Sequence, residues 1–167
     1  MVVAAGNPIG VHRLDDLARA SIRIVMASNS EPGARSQYIS TLDGLLGQQR
    51  TQAILERETV TFPGRLGIQH RDIPSAIASR AADVGIIFHH LAQYYAATYP
   101  EALAMVAVSG AEQFSSTIAM VQTLDPLRAS AAQAFSEFFL AVARDVYPRH
   151  GFASMSAAEF GAKIELG

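Results

Sequence analysis

Short β-rich runs alternate with helical stretches through the first two-thirds of this chain, and that alternation constrains its fold more than any other feature. Residues 1–5, 22–27, 60–62, 84–88 and 103–108 read as strands rich in aliphatic side chains. Between them, residues 14–19, 34–46, 48–57, 75–81 and 91–98 carry apolar positions at helical spacing. Strand, helix and strand in succession bring each helix back over the sheet, so the expected fold class is α/β, a mostly parallel sheet flanked by helices. Several boundaries have local chemical causes. Gly47 suits the left-handed residue that closes a helix, Pro74 suits a first helical turn where no N–H is required, and Tyr99-Pro100 stops the helix before it.

The last third changes character. Residues 115–122 (SSTIAMVQ) read as a strand and residues 126–147 as one long helix, with Asp125-Pro126 as its cap and first turn. Leu127, Ala131, Ala134, Phe135, Phe138, Phe139, Val142 and Val146 recur there at helical spacing, a stripe that has to bury against something. No internal repeat, low-complexity run or linker divides the chain.

Charge and composition narrow the function. Thirteen Lys and Arg against fifteen Asp and Glu leave a formal charge of −2 with no block of either sign, so the chain offers no footprint for nucleic acid or an anionic membrane. Half of the 167 residues are apolar, which provides a core. The absence of cysteine excludes disulfides, thiolate metal sites and cysteine nucleophiles. The opening MVVAAGNPIG has no basic leader, and no apolar run approaches about 18 residues, so neither a signal peptide nor a membrane span is read in this sequence.

Catalysis finds no support. There is no G-x-S-x-G, no P-loop and no G-x-G-x-x-G; Asp15-Asp16 reads as the polar start of a short helix and Asp72 as a cap, so no catalytic residue is expected and the chain is not read as an enzyme. No cofactor and no metal site is expected either. His89 and His90 are adjacent, but neighbours on a helix point about 100° apart and share an ion poorly. Tyr94, Tyr95 and Tyr99 lie at helical spacing and read as packing, while His12, His70 and His150 stand isolated.

The strongest candidate site is the polar loop between a strand and a helix, Ser28, Asn29, Ser30, Glu31, Pro32, Gly33, Ala34, Arg35 and Ser36. A helix N-terminus offers free N–H groups and partial positive charge, and Gly33 permits close approach to the backbone. Arg35 brings a planar fork of donors suited to an oxyanion or carboxylate, and Ser28, Ser30 and Ser36 bring hydroxyls. Ordinary capping chemistry accounts for such a loop equally well.

Four segments taken in order, VVAAGNPIGV with LDDLA, IRIVMASNSEPGARSQY, DIPSAIASRAADVGIIF and FSEFFLAVARDVYPRHGF, resemble the molybdate-binding branch of the periplasmic solute-binding proteins that serve ABC transporters, which have the type 2 periplasmic-binding fold. The resemblance implies two α/β lobes with the ligand between them. On that template residues 7–114 form the second lobe, residues 1–6 and 115–122 are crossing strands, residues 123–167 are a C-terminal helical segment, and the N-terminal part of the first lobe is missing. Gly33 and Ile73 then take the places of residues whose amides hold the oxyanion. Phe88 takes the place of a tyrosine whose hydroxyl donates to it, which puts molybdate itself in doubt and leaves another oxyanion or a small organic anion. The implied partners are a small anionic ligand and a membrane permease, the implied location is periplasmic, and self-association through surfaces meant for the missing lobe is expected. The alternative reading is the ligand-sensing domain of a cytoplasmic transcription regulator, which uses similar bilobal modules.

Overall fold

A computed structural model describes residues 1–58, 64, 66–118, 120 and 127–153. The chain divides into two compact units, residues 1–116 and 117–167. In the first unit the described strands are β1 (Val2–Ala4), β2 (Ile24–Val25), β3 (Val84–Gly85) and β4 (Leu103–Met105), arranged in one sheet in the order β2-β3-β1-β4. The helices are α1 (Pro32–Leu46), α2 (Gln48–Leu55), α3 (Asp72–Ala78) and α4 (His89–Thr98).

β2 runs parallel to β3, with Ile24 opposite Val84 and Val25 opposite Gly85, and Ile24 also forms a parallel bridge to Glu58 on its other side. β1 is antiparallel to both β3 and β4, so β2, β3 and β4 share one direction and β1 opposes them from between β3 and β4. This is the expected α/β class, with one reversed strand that aliphatic patterning alone does not reveal. The expected strand at residues 60–62 lies outside the described residues.

The side-chain alternation of a strand assigns the two faces of the sheet. Val3, Ile24 and Val84 pack with Leu17, Tyr38, Leu42 and Ile54 on the side of α1 and α2. Val2 and Val25 pack with Ile73, Ala76, Ile77 and Ala92 on the side of α3 and α4. Covered on both faces, the strands are aliphatic throughout, as sheets with helices on either side require. Each fully buried aliphatic side chain contributes about 1.5–3 kcal/mol. Gly85 is an exception with a cause: a Cβ there would stand 2.4 Å from Ile73 Cγ2 and 2.7 Å from Val2 Cγ1.

Helix starts fall earlier than the sequence suggests. α1 begins at Pro32, whose missing N–H costs nothing at a first helical position. α3 begins at Asp72, three residues before Ser75, because the Asp72 carboxylate accepts from the Gln69 N–H at 2.9 Å. α4 begins at His89, directly after Phe88. Gly47 closes α1 with φ of 83° and ψ of 153°, a positive-φ conformation that suits glycine but is not the left-handed helical one expected.

In the second unit α5 (Ala129–Val146) runs into a short 3-10 turn, Tyr147–His150. Tyr147 stacks on Phe152 at 4.7 Å and meets Phe139 edge-on at 6.2 Å. Phe135, Phe138 and Val142, on one stripe of α5, are exposed. The expected strand over residues 115–122 is not formed at residues 115–118 or 120, and the rest of it, like Asp125 and Pro126, lies outside the described residues. Among the described residues no helix is long and apolar enough to cross a membrane.

Candidate functional site

Ligands of open α/β sheets gather beyond the carboxyl ends of parallel strands. At that edge lie the loop after β2, the segment running into α3 and the turn between β3 and α4. The first two are joined tightly. Ser28 N–H donates to the Ile68 carbonyl at 2.8 Å, and the Ser28 and Ser30 hydroxyls reach the same oxygen at 3.1 and 3.2 Å. The hydroxyls stand 3.0 Å from each other, and Ser30 N–H donates to Ser28 Oγ at 3.3 Å. Three donors on one carbonyl exceed its two lone pairs, so one hydroxyl can donate to the neighbouring serine oxygen instead and would have to give up that bond to turn to a guest.

Gly67 is what lets these serines come together. A Cβ on it would sit 2.8 Å from Ser28 Oγ and 3.2 Å from Ser30 Oγ. Ser28, Asn29, Ser30, Arg35, Glu58, Leu66 and Gly67 line a cavity of about 400 Å³. Gly33 and Ala34 are the second and third residues of α1, whose N–H groups have no intrahelical carbonyl to bond. A Cβ on Gly33 would meet no protein atom within 4 Å, so the space beside this residue is open. Ser36 is exposed on α1 and is not among the cavity-lining residues.

Two expectations about side chains and amides change. Arg35 lines the cavity, yet its fork is spent inside the protein: Nη1 donates to Glu58 Oε1 at 2.8 Å and to the Ala27 carbonyl at 3.0 Å, and Nη2 to Glu58 Oε2 at 2.7 Å. The Glu58 hydrogen bonds raise the guanidinium above its ordinary pKa, and the pair contributes no net charge to the cavity. The two-pronged clamp on a ligand is corrected accordingly. Ile73 is corrected as well. Its N–H donates to the His70 carbonyl at 3.3 Å and its side chain is fully buried against Gly85, so this amide is engaged within the first turn of α3.

Phe88 has no hydroxyl, but one arrives from elsewhere. Tyr38 on α1 accepts from the Phe88 N–H at 3.2 Å. The Tyr38 hydroxyl also bonds His70 Nε2. His70 in turn meets Glu31 twice, through Nδ1 at 2.7 Å and through its backbone N–H at 3.0 Å, both to Oε2. Rings of His70 and His90 stack on Phe88 at 5.1 and 5.8 Å. Burial pushes the Tyr38 hydroxyl pKa up; it also lowers His70, against a smaller upward pull from Glu31. His90 is lowered by burial first and then by the neighbouring His70 and His89.

Tyr38, Glu58, Gly67 and His70 were not singled out as site residues by sequence, and Glu31 stood in the candidate loop without a role. Glu31 and Tyr38 stand seven apart, two turns of one helix face, which is the one local signal available. Among the described residues no cluster of three or more His, Asp or Glu is placed to hold a metal ion.

An α/β unit whose polar loops gather over the carboxyl edge of the sheet, around a cavity lined by Ser28, Asn29 and Ser30, has the arrangement of a small-solute-binding module. A sequence model described as bacterial extracellular solute-binding protein matches residues 1–153, and the chain belongs to that family, one of binding proteins and not of enzymes. No curated protein sequence matches the chain. Among solved structures it is similar to the sulfate-binding protein SubI from Mycobacterium tuberculosis H37Rv, with 21% identity, a TM-score of 0.57, and coverage of 94% of this chain. The chain spans 56% of that protein's length. At this identity the likeness establishes the fold alone.

Proposed function

We propose that the chain carries the anion-holding loops of a receptor for a small oxyanion or small organic anion, acting in an ABC-type uptake system. The observation that carries this reading is the convergence of the Ser28 and Ser30 hydroxyls and Gly67 around one cavity where, among the described lining residues, the cation Arg35 is already paired with Glu58. Neutral donors held in place replace the water shell of a compact anion without forcing a new charge into the site. The N–H groups of Gly33 and Ala34 add the positive end of α1 from the next turn. The name of the similar sulfate-binding protein makes sulfate the first candidate, ahead of molybdate, whose tyrosine position here is Phe88.

On this reading residues 7–114 act as one lobe, residues 1–6 and 115–122 cross to another, and residues 123–167 form a C-terminal tail. A membrane permease recognises the loaded form, and the receptor works in the periplasm, the setting that membership in an extracellular family favours over a cytoplasmic regulator. The exposed Phe135, Phe138 and Val142 favour self-association where no second lobe covers them.

Binding of sulfate, molybdate, tungstate, phosphate and small carboxylates is tested by thermal unfolding. An anion at 100 times its Kd adds about 2.7 kcal/mol to stability and raises Tm. Gly67→Ala presses a methyl onto the two serines and lowers affinity for that anion about tenfold, or about 1.4 kcal/mol. It is expected to leave the fold intact, because the nearest atoms to the new Cβ are the Ser28 and Ser30 hydroxyl oxygens and the Ser30 Cβ, on half-buried and exposed side chains. A panel that leaves Tm unmoved, or a Gly67→Ala protein that binds as well as the parent, contradicts the reading.

A further inference from the structure

We infer that Glu31, His70 and Tyr38 form a positioning relay that ties the three loops at the carboxyl edge of the sheet together, and that a proton on His70 tightens the hold on an anion there. The inference rests on the anion-receptor reading above and adds to it residues outside the cavity lining.

The hydrogen bonds of the relay have one consistent direction when His70 is neutral. Glu31 Oε2 accepts at Nδ1, so Nδ1 carries the hydrogen and Nε2 is left with its lone pair. Nε2 therefore accepts the Tyr38 O–H, and Tyr38 Oη accepts the Phe88 N–H. Each loop contributes one member: Glu31 follows β2, His70 precedes α3, and Phe88 follows β3. No buried side-chain nitrogen or oxygen among the described residues lacks a partner, so the relay is complete as it stands.

A second proton reverses one link. Nε2 then carries hydrogen and must donate to Tyr38 Oη, which already accepts from Phe88 N–H; the Tyr38 hydrogen is released from His70 and swings away from it. At the same time a positive charge appears beside Glu31, at the edge of the sheet where the anion binds. The groups that face His70 are Glu31 and Tyr38 from the α1 side and Phe88 and His90 from the α4 side, with His89 next to His90 and with Arg71 and Asp72 following His70 in sequence. Glu31 favours the added charge, and a charged His70 in turn disfavours a proton on His90. Burial lowers His70 from the ordinary histidine value, against the smaller upward pull of Glu31, so acidification favours the added proton.

Sulfate is the probe, because its charge does not change between pH 5 and pH 8. Calorimetry on the parent protein is expected to show sulfate bound about tenfold more tightly at pH 5 than at pH 7.5, the scale of one unit charge nearby. By linkage, saturating sulfate raises the His70 titration midpoint, read by NMR of the ring protons, by the same factor. His70→Gln is expected to lose the pH dependence, and Tyr38→Phe to weaken sulfate at both pH values while keeping it. Sulfate affinity equal at the two pH values, a His70 midpoint that sulfate leaves in place, or a pH dependence that survives His70→Gln and vanishes in His90→Gln overturns the relay while leaving the receptor reading intact. If sulfate does not bind at any pH while another anion of the panel does, that anion takes its place at fixed ionisation; if none binds, both readings fall together.

Discussion

Arg35→Ala is expected to lower the free energy of unfolding by about 3–5 kcal/mol, the cost of leaving a buried carboxylate without its partner. The Glu58 side chain is 2% exposed and the Arg35 side chain 19%. Two parallel N–H···O bonds join them, and the same guanidinium holds the Ala27 carbonyl at the end of the strand segment. Removing the arginine leaves Glu58 with neither counter-charge nor its two donors, and frees a carbonyl that has to find water. A surface pair would cost less than about 1 kcal/mol, so the size of the effect distinguishes a buried tie from a solvated one. Urea unfolding followed by circular dichroism reads the difference as a fall in the midpoint. The double variant Arg35→Met with Glu58→Leu, which replaces the pair by apolar groups of similar volume, is expected to recover most of the loss. Equal instability in the single and double variants would argue against the charge as the cause.

Gly85→Ala is expected to cost about 1–3 kcal/mol or more through overpacking. The new methyl would stand 2.4 Å from Ile73 Cγ2 and 2.7 Å from Val2 Cγ1, far inside van der Waals contact. Both neighbours are β-branched and fully buried, so neither can rotate away without an unfavourable χ1. The strand also cannot shift easily, because Gly85 pairs with Val25 on one side and Val2 on the other. Thermal unfolding of Gly85→Ala, Ile73→Ala and the pair measures the coupling: the methyl added at Gly85 fills space that Ile73→Ala vacates, so the pair loses less than the sum of the singles. Strict additivity would mean that the two side chains do not compete for one volume.

These two sites also mark how far the sequence could be read. The layering was legible because covered strands are aliphatic on both faces and the helices between them carry one apolar stripe each, as Val2, Val3, Ile24 and Val25 illustrate. The direction of β1 was not, since aliphatic runs carry no polarity; its antiparallel pairing depends on how the chain enters the sheet. The loop after β2 was legible from its own composition, and Ser28, Asn29, Ser30 and Arg35 do line one cavity. What Arg35 does there was not legible, because Glu58 lies 23 residues away and meets it only through the bridge beside Ile24.

Ile73 shows the opposite failure. The proline after it marks a helix start correctly, yet whether an amide is free depends on the turn before it, and here the His70 carbonyl takes it. His70 looked isolated because its partners, Glu31 and Tyr38, stand 39 and 32 residues away. Long-range polar pairs of this kind leave no local period, and only the fold brings them together.

The central claim is that the loop holding Ser28 to Ala34, with Gly67 beneath it, receives an anion. Titrating sulfate into the isotope-labelled protein while following backbone amides by NMR tests it most directly. The largest shifts are expected on the amides of Ser28 to Glu31, Gly33, Ala34 and Gly67 to His70, saturating together, with a midpoint about tenfold higher in Gly67→Ala. Saturating shifts confined to other segments, with these amides unmoved, would contradict it.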